Sequence, residues 1–217
     1  MTDPATRRRK LVETKERWAA EGRVPGRQRP GDAVARLPPG QHVVKDWPVL
    51  DLGILPEIST STWHLAVDGE VENRLDWDWA ALMAQPQVED VSDMHCVTTW
   101  SRFDNRWQGV GVRHVLTLAR PTPSARFAVL HSYDGYTTNV PLASLDDTDV
   151  LLAHHWNGEP IPREHGGPVR ALIPKLYLWK SAKWLKRIEL TRDNRPGFWE
   201  VRGYHDVGDP WTEQRYG

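Results

Sequence analysis

The chain has 217 residues, a formal net charge of −1 and a single cysteine, Cys96. That length can bury a core of ordinary size. One thiol excludes an intramolecular disulfide framework and any zinc finger with two or more cysteines, and the near-neutral balance excludes a general polyanion binder. Charge is nonetheless uneven: residues 1–45 carry 11 Lys/Arg against 5 Asp/Glu, and the rest carries 17 against 24. Arg7, Arg8, Arg9 and Lys10 are followed by Leu11-Val12 and then at once by Glu13, Lys15, Glu16 and Arg17. A secretory or twin-arginine signal needs about 7 to 15 apolar residues at that point, so a cytoplasmic protein is expected, in keeping with a lone reduced thiol. Residues 5–21 predict a short solvated helix, followed by a Gly/Pro-rich connector (GRVPGRQRPGD, LPPG). The alternative, a basic tether for nucleic acid or an anionic membrane, is disfavoured because the arm lacks a sustained apolar face. The expected organisation is an arm and connector over 1–45 and one globular domain over 46–217.

In the body, TWHLAVDG (62–69) alternates and ends in Asp-Gly, the pattern of a strand running into a turn. DWDWAALMA (76–84) predicts a helix with an Asp start that ends before Pro86. Strands are predicted over 88–94, 126–132, 134–140, 149–156, 169–173 and 184–190, and a helix over 111–119 that Pro121 and Pro123 stop. Many short strands with few short helices give an α+β class dominated by mixed sheet. No run approaches the roughly 20 apolar residues of a membrane span, and neither GxGxxG nor GxxxxGK[ST] occurs.

Three features could carry chemistry. Cys96, in SDMHCVTTWSRFDNRW just after a strand, is open to three readings. It is a small buried hydrophobe, a thiolate nucleophile with His95 or a distant histidine as base, or a soft ligand to a metal whose other ligands come from a cofactor. His154-His155 are adjacent, so neither a strand nor a helix brings them to one mononuclear site, and they are expected to be satisfied structural histidines. In EHGGPVRALIPKLYLWKSAKWLKRIEL (164–190), Gly166-Gly167 permit close backbone approach, and Arg170, Lys180, Ser181 and Lys183 follow. That set makes either a phosphate cradle without a P-loop or a glycine turn with solvated lysines. The 12 Trp against 3 Phe supply flat apolar walls that each carry one N–H donor.

Taken in order, HCVTTWS with RWQGVGVRHVL, then HGGPVRALIPKLYLWKSAKWLKRIEL, then RPGFWEVRGYHDVGDPWTEQRY resemble the sulfite oxidase-like molybdopterin-dependent oxidoreductases. The likeness runs from about Pro48 to Gly217 and points to the small cytosolic bacterial type, related to the catalytic subunit of periplasmic methionine-sulfoxide reductase. It implies the mixed-sheet catalytic-core fold of that family and a molybdenum–molybdopterin cofactor, without added nucleotide. Cys96 is implied as the metal ligand. Arg170, Ser181, Ala182 and Lys183, with His165 five residues before the arginine and His131 on a strand, are implied as cofactor contacts. Arg102, Tyr133 and Tyr136, with Trp100 and Trp107, are expected at the substrate rim. The implied reaction is oxygen-atom transfer to or from a small sulfur- or nitrogen-oxide substrate, by a monomer working with an electron donor or acceptor and binding no nucleic acid. No haem domain, dimerisation domain or arginine-rich sulfite pocket is recognisable, so no particular substrate is implied. Two readings from other classes stand beside this one: a cofactor-free cysteine hydrolase built on Cys96, and a Trp-rich module that stacks sugars or bases on an exposed strand face.

Overall fold

The computed structural model describes residues 4–21 and 36–217. The first half comprises α1 (Pro4–Ala20), β1 (His42–Val43), β2 (His64–Gly69), β3 (Leu75–Asp78), α2 (Trp79–Met83), β4 (Gln87–His95), β5 (Trp100–Gly111) and α3 (Val112–Ala119). The second comprises β6 (Phe127–Ser132), β7 (Thr137–Pro141), α4 (Leu142–Leu145), β8 (Leu151–Trp156), β9 (Glu159–Pro160), β10 (Arg170–Leu172) and β11 (Leu185–Thr191), with short 3-10 turns between and after them.

The strands form two sheets. In one, β5 is the spine: β4 runs antiparallel along one edge, while β1 (parallel) and β8 (antiparallel) share the other. β8 then carries β10 and β9. The other sheet has the order β3-β2-β11-β6-β7, with β11 parallel to β2 and antiparallel to β6. Leu65 and Val67 of β2 alternate inward, and Gly69 then turns the chain with φ +86, where an added Cβ would stand 2.1 Å from the Leu190 carbonyl oxygen. In α3, Val112, Val115, Leu116 and Ala119 recur at helical spacing and are buried. Side chains from both sheets join one core cluster, as the mixed α+β reading expects.

The sequence expectations hold for most strands to within a few residues and fail at three places. Leu75–Asp78 is a strand, not the start of a helix, because Leu75 and Trp77 pair with Val67 and Leu65 across a hairpin. The helical cap is therefore Asp78, whose Oδ1 accepts from Ala81 N at 2.8 Å. The 12-residue β5 matched no predicted element: Arg102, Asp104, Arg106 and Gln108 hide the strand signal that Trp100, Trp107 and Val110 carry inward. The helix predicted over 5–21 forms as α1, but it is docked rather than solvated. Leu11, Val12 and Ala19 pack on the core, Lys15 is buried, Glu16 pairs with Arg202 at 3.1 Å, and Arg8 lies 5.6 Å above the Phe198 ring. These residues recur every three or four positions, so they form one face; a lysine stem and a small alanine make that face less apolar in composition than it is in packing. The expected connector GRVPGRQRPGD lies outside the described residues. No helix among the described residues is long and apolar enough to cross a membrane.

A buried ion pair ties the second sheet to the irregular C-terminal segment. Lys180 Nζ donates to Glu200 Oε1 (2.6 Å), Asn139 Oδ1 (2.9 Å) and the carbonyls of Asn139 (2.8 Å) and Asp206 (2.6 Å). The same Glu200 oxygen accepts from Thr138 Oγ1 (2.8 Å) and Trp179 Nε1 (2.9 Å). Truncating one partner strands the other charge in a dry site. Lys180→Met should therefore destabilise the fold by about 3–5 kcal/mol, and Lys180→Met/Glu200→Leu should cost less than Lys180→Met alone, read as shifts in the urea midpoint.

His154, on β8 and 1% exposed, contacts Gln87 Oε1 through Nε2 at 2.8 Å, and burial pushes its pKa down to about 4. The folded protein thus keeps His154 neutral where the unfolded chain binds a proton, below about 6.5. Its contribution is complete above that value and is lost as pH falls towards 4. The melting temperature should drop across this window, and His154→Asn should flatten the slope.

Candidate active site

A cavity with ≈ 870 Å³ of empty space, open mouth included, is lined by Leu11 and Lys15 of α1, by Trp47, Pro48 and residues 50–52, by Cys96 and Trp100, by Ser132 and Tyr136, by Arg170, and by residues 178–179 and 181–184. Mostly aromatic and apolar walls with a few charged and polar groups suit a small-molecule or cofactor site.

Cys96 stands on a tight turn between β4 and β5, and its own backbone groups are both hydrogen-bonded. Its N–H donates to Trp100 O (2.8 Å), and its carbonyl accepts from Thr99 N (3.0 Å) and Gln41 Nε2 (3.1 Å). Thr99 closes the turn at φ +77, a conformation that costs a β-branched residue roughly 1–3 kcal/mol. Arg215, 2% exposed, clamps the turn from the C-terminal segment through Val97 O at 2.8 Å. The Cys96 Sγ lies 3.1 Å from Thr98 Oγ1. His95, the neighbouring candidate base, directs Nδ1 to Ser101 Oγ at 2.8 Å, and burial pushes its pKa down to about 4. No histidine among the described residues hydrogen-bonds the thiol, so the nucleophile–base pair of a cysteine hydrolase is not assembled.

The opposite wall is built by the glycine turn. An added Cβ at Gly166 would stand 2.8 Å from Lys183 Cβ and 2.9 Å from Lys183 Cα, and one at Gly167 2.0 Å from Ile161 O, so only glycine at these positions lets this segment fold in beside residues 182–185. Ala171 N then donates to Ala182 O (2.8 Å), Trp184 N to Gly166 O (3.1 Å) and Leu185 N to Val169 O (2.9 Å). Arg170, 2% exposed, donates to the carbonyls of His165 (2.7 Å), Ser181 (2.9 Å) and Ala171 (3.3 Å) and lies 5.2 Å over the Trp47 ring. Lys183 Nζ donates to Leu50 O (2.7 Å) and Glu164 O (2.6 Å). Neither forms an ion pair with a described residue. Burial lowers the Arg170 pKa to about 9, and burial with the Arg170 charge lowers that of Lys183 to about 7.

Of the residues singled out in the sequence, Cys96, Trp100, Tyr136, Arg170, Ser181, Ala182 and Lys183 meet around this cavity. Tyr136 commits its hydroxyl to Trp179 O at 2.6 Å. His165 stands behind the wall, its ring stacked on Trp47 at 3.9 Å with Nδ1 unpartnered, and burial lowers its pKa to about 4. The others do not join. His131 faces Glu189 at 3.1 Å, Arg102 stacks 4.7 Å over Trp156, Trp107 packs edge-on against Trp47, and Tyr133 bonds the His64 backbone. Next to His131, Ser132 takes the cavity-facing position and its buried Oγ has no partner; the two-residue alternation of a strand was the signal for it. Lys15, Asp51, Asp134 and Trp184 also line the cavity and carried no sequence signal of their own. Of the 12 tryptophans only Trp211, in the C-terminal segment, is exposed, so no strand face offers a stacking platform.

Comparison with known proteins agrees with this geometry. Residues 52–199 match the family model described as "Oxidoreductase molybdopterin binding domain". The chain is 44% identical to the "Uncharacterized oxidoreductase YuiH" of Bacillus subtilis (strain 168), over 88% of this chain and 97% of that protein. It is 24% identical to the "Protein-methionine-sulfoxide reductase catalytic subunit MsrP" of Campylobacter jejuni, over 72% of this chain and 58% of that one. The crystal structure of the sulfane dehydrogenase SoxCD from Paracoccus pantotrophus shares the fold, with a TM-score of 0.59 at 21% identity, over 64% of this chain and 40% of that one. A match across most of the body, on a mixed-sheet fold with the glycine turn, its arginine and the lone thiol facing one cavity, identifies this chain as a member of the sulfite oxidase-like family of molybdopterin-dependent oxidoreductases.

Proposed function

We propose that Cys96 is the protein ligand of molybdenum in a mononuclear Mo–molybdopterin centre, and that the centre transfers an oxygen atom to or from a small sulfur- or nitrogen-oxide substrate. The observation that carries this reading is the company the thiol keeps: it faces one cavity with two cations that lack ion-pair partners and a buried hydroxyl that lacks any partner. Buried charges are normally paired, so Arg170 and Lys183 fit an anionic group such as the pterin phosphate, and Ser132 Oγ fits a polar edge beside it. Among the described residues no cluster of three or more His, Cys, Asp or Glu could hold a metal by itself; dithiolene sulfur from the pterin would complete the coordination of a metal at Cys96.

The cofactor, when bound, supplies two-electron oxygen-atom transfer. The chain's own residues bind and orient. The Cys96 turn fixes the thiolate, the Arg170 guanidinium braces the 165 and 181 turns while presenting its charge, and Trp47, Trp100 and Trp184 exclude water. Tyr136, whose hydroxyl is held by Trp179 O, supports the 178–183 turn. Taking oxygen from a substrate consumes two electrons and two protons and yields water, so an electron donor is required; the reverse direction requires an acceptor and returns the protons. The sulfoxide named for the Campylobacter relative supports a sulfur-oxide substrate. A cytoplasmic monomer, a pterin without added nucleotide and no nucleic-acid partner complete the reading.

Two experiments test it. Arg170→Ala and Lys183→Ala should each lower pterin content per chain, because a phosphate loses a charge-assisted hydrogen bond of roughly 1.5–3 kcal/mol. Pterin content equal to wild type in both variants would remove the cradle. In the holoprotein Cys96 should resist iodoacetamide at neutral pH, become reactive once the cofactor is stripped, and leave no oxygen-atom transfer when replaced by alanine. A fully active protein whose Cys96 alkylates as fast with cofactor as without would refute the ligand assignment.

A further inference from the structure

The basic N-terminal segment has no place in the reading above, yet the structure brings it to the cavity. Helix α1 lays Leu11 and Lys15, one turn apart, into the lining. The helix is held there by Glu16–Arg202 at 3.1 Å, by Arg8 over Phe198, and by Ala19 against Gly203, where an added Cβ would stand 3.2 Å from Ala19 Cβ. Lys15 is only 7% exposed and makes no hydrogen bond or ion pair with a described residue; its ammonium lies 5.4 Å from the centre of the Trp18 ring. A lysine stem can lie along apolar surface with its head in open water, but this residue is almost wholly buried and lines the cavity. Burial accordingly lowers its pKa, and the one charge across the cavity that opposes the shift is Cys96. Lys183, by contrast, senses Arg170, Asp51 and Asp134 as well as Cys96. The cations therefore enter the cavity from two elements: Arg170 and Lys183 follow the glycine turn, and Lys15 comes from α1.

We propose that α1 caps the cavity that Cys96 faces and that Lys15 Nζ binds the negative charge of an oxyanion substrate there. The proposal rests on the reading of Cys96 as the reacting centre and adds a specificity-determining residue from outside the family-matched segment, residues 52–199. An ammonium desolvated without a partner is costly, and an entering oxyanion relieves that cost by a charge-assisted hydrogen bond. A neutral sulfoxide or N-oxide would not, so the cap discriminates by charge.

Inorganic sulfate, an oxyanion already fully oxidised, is the probe. Its affinity for the holoprotein is measured by calorimetry on wild type, Lys15→Arg, Lys15→Gln and Lys15→Met, with molybdenum and pterin content determined on each. Lys15→Gln and Lys15→Met should bind sulfate at least about tenfold more weakly, Lys15→Arg should retain most of the affinity, and cofactor content should be the same in all four. Lys15→Met keeps the buried stem, and trypsin cleavage within α1 at wild-type rate would separate loss of charge from loss of docking. Wild-type sulfate affinity in Lys15→Met would overturn the proposal. So would a fall in pterin content matching the fall in sulfate affinity, which would move Lys15 to the cofactor's phosphate. Wild-type protein purified without molybdenum from a replete host would instead strike the Cys96 reading and leave the sulfate comparison readable.

Discussion

The Lys180–Glu200 ion pair is the constraint on which the site depends. Both side chains are sealed from water, and the pair joins three pieces of chain with no regular structure in common: the turn before residue 181, strand β7, and the C-terminal segment around Glu200 and Asp206. Ser181, Ala182 and Lys183 follow directly on the lysine, so the direction in which they face the cavity is set by where that ammonium is anchored. A hydrophobic substitute for the pair could equal its stability, but it would not specify one orientation. Four acceptors converging on one Nζ do specify it.

Buried charge is met in two ways. Lys180 is neutralised by a buried carboxylate, whereas the equally buried Arg170 is met only by carbonyl dipoles. The first arrangement holds the fold together and the second leaves a positive potential where a ligand can use it. Low local dielectric strengthens both effects. Asp51 and Asp134 moderate the field around Lys183 without pairing with it.

Much of this was legible in the sequence where local rules decide. Strands with inward alternation, the Asp-Gly turns and helix α3 followed from periodicity, and the lone thiol, the glycine pair and Arg170 stood out because few residues compete for their roles. Long-range partnerships were not legible. No local pattern marks Glu200 or Arg215, yet one is buried against Lys180 and the other clamps Val97, 118 residues away. β5 was hidden by its charged outward positions, and the docking of α1 by a contact face made from a lysine stem and an alanine. The shift from His131 to Ser132 has the same origin: a resemblance locates a strand, while the pleat decides which neighbour faces inward.

The parallel pairing of β2 with β11 has a kinetic consequence. β4 and β5 meet across a four-residue turn, but β11, at the centre of its sheet, meets β2 only after some 120 intervening residues have been ordered; the bond from Trp63 Nε1 to Leu185 O spans 122. Closing so large a loop is entropically slow and delays the pairing. Residues 181–184 lie just before β11, so the cradle is among the last parts to mature, after the thiol turn has formed. A nascent chain would thus display its cysteine before the opposite wall of the cavity is in place to enclose it.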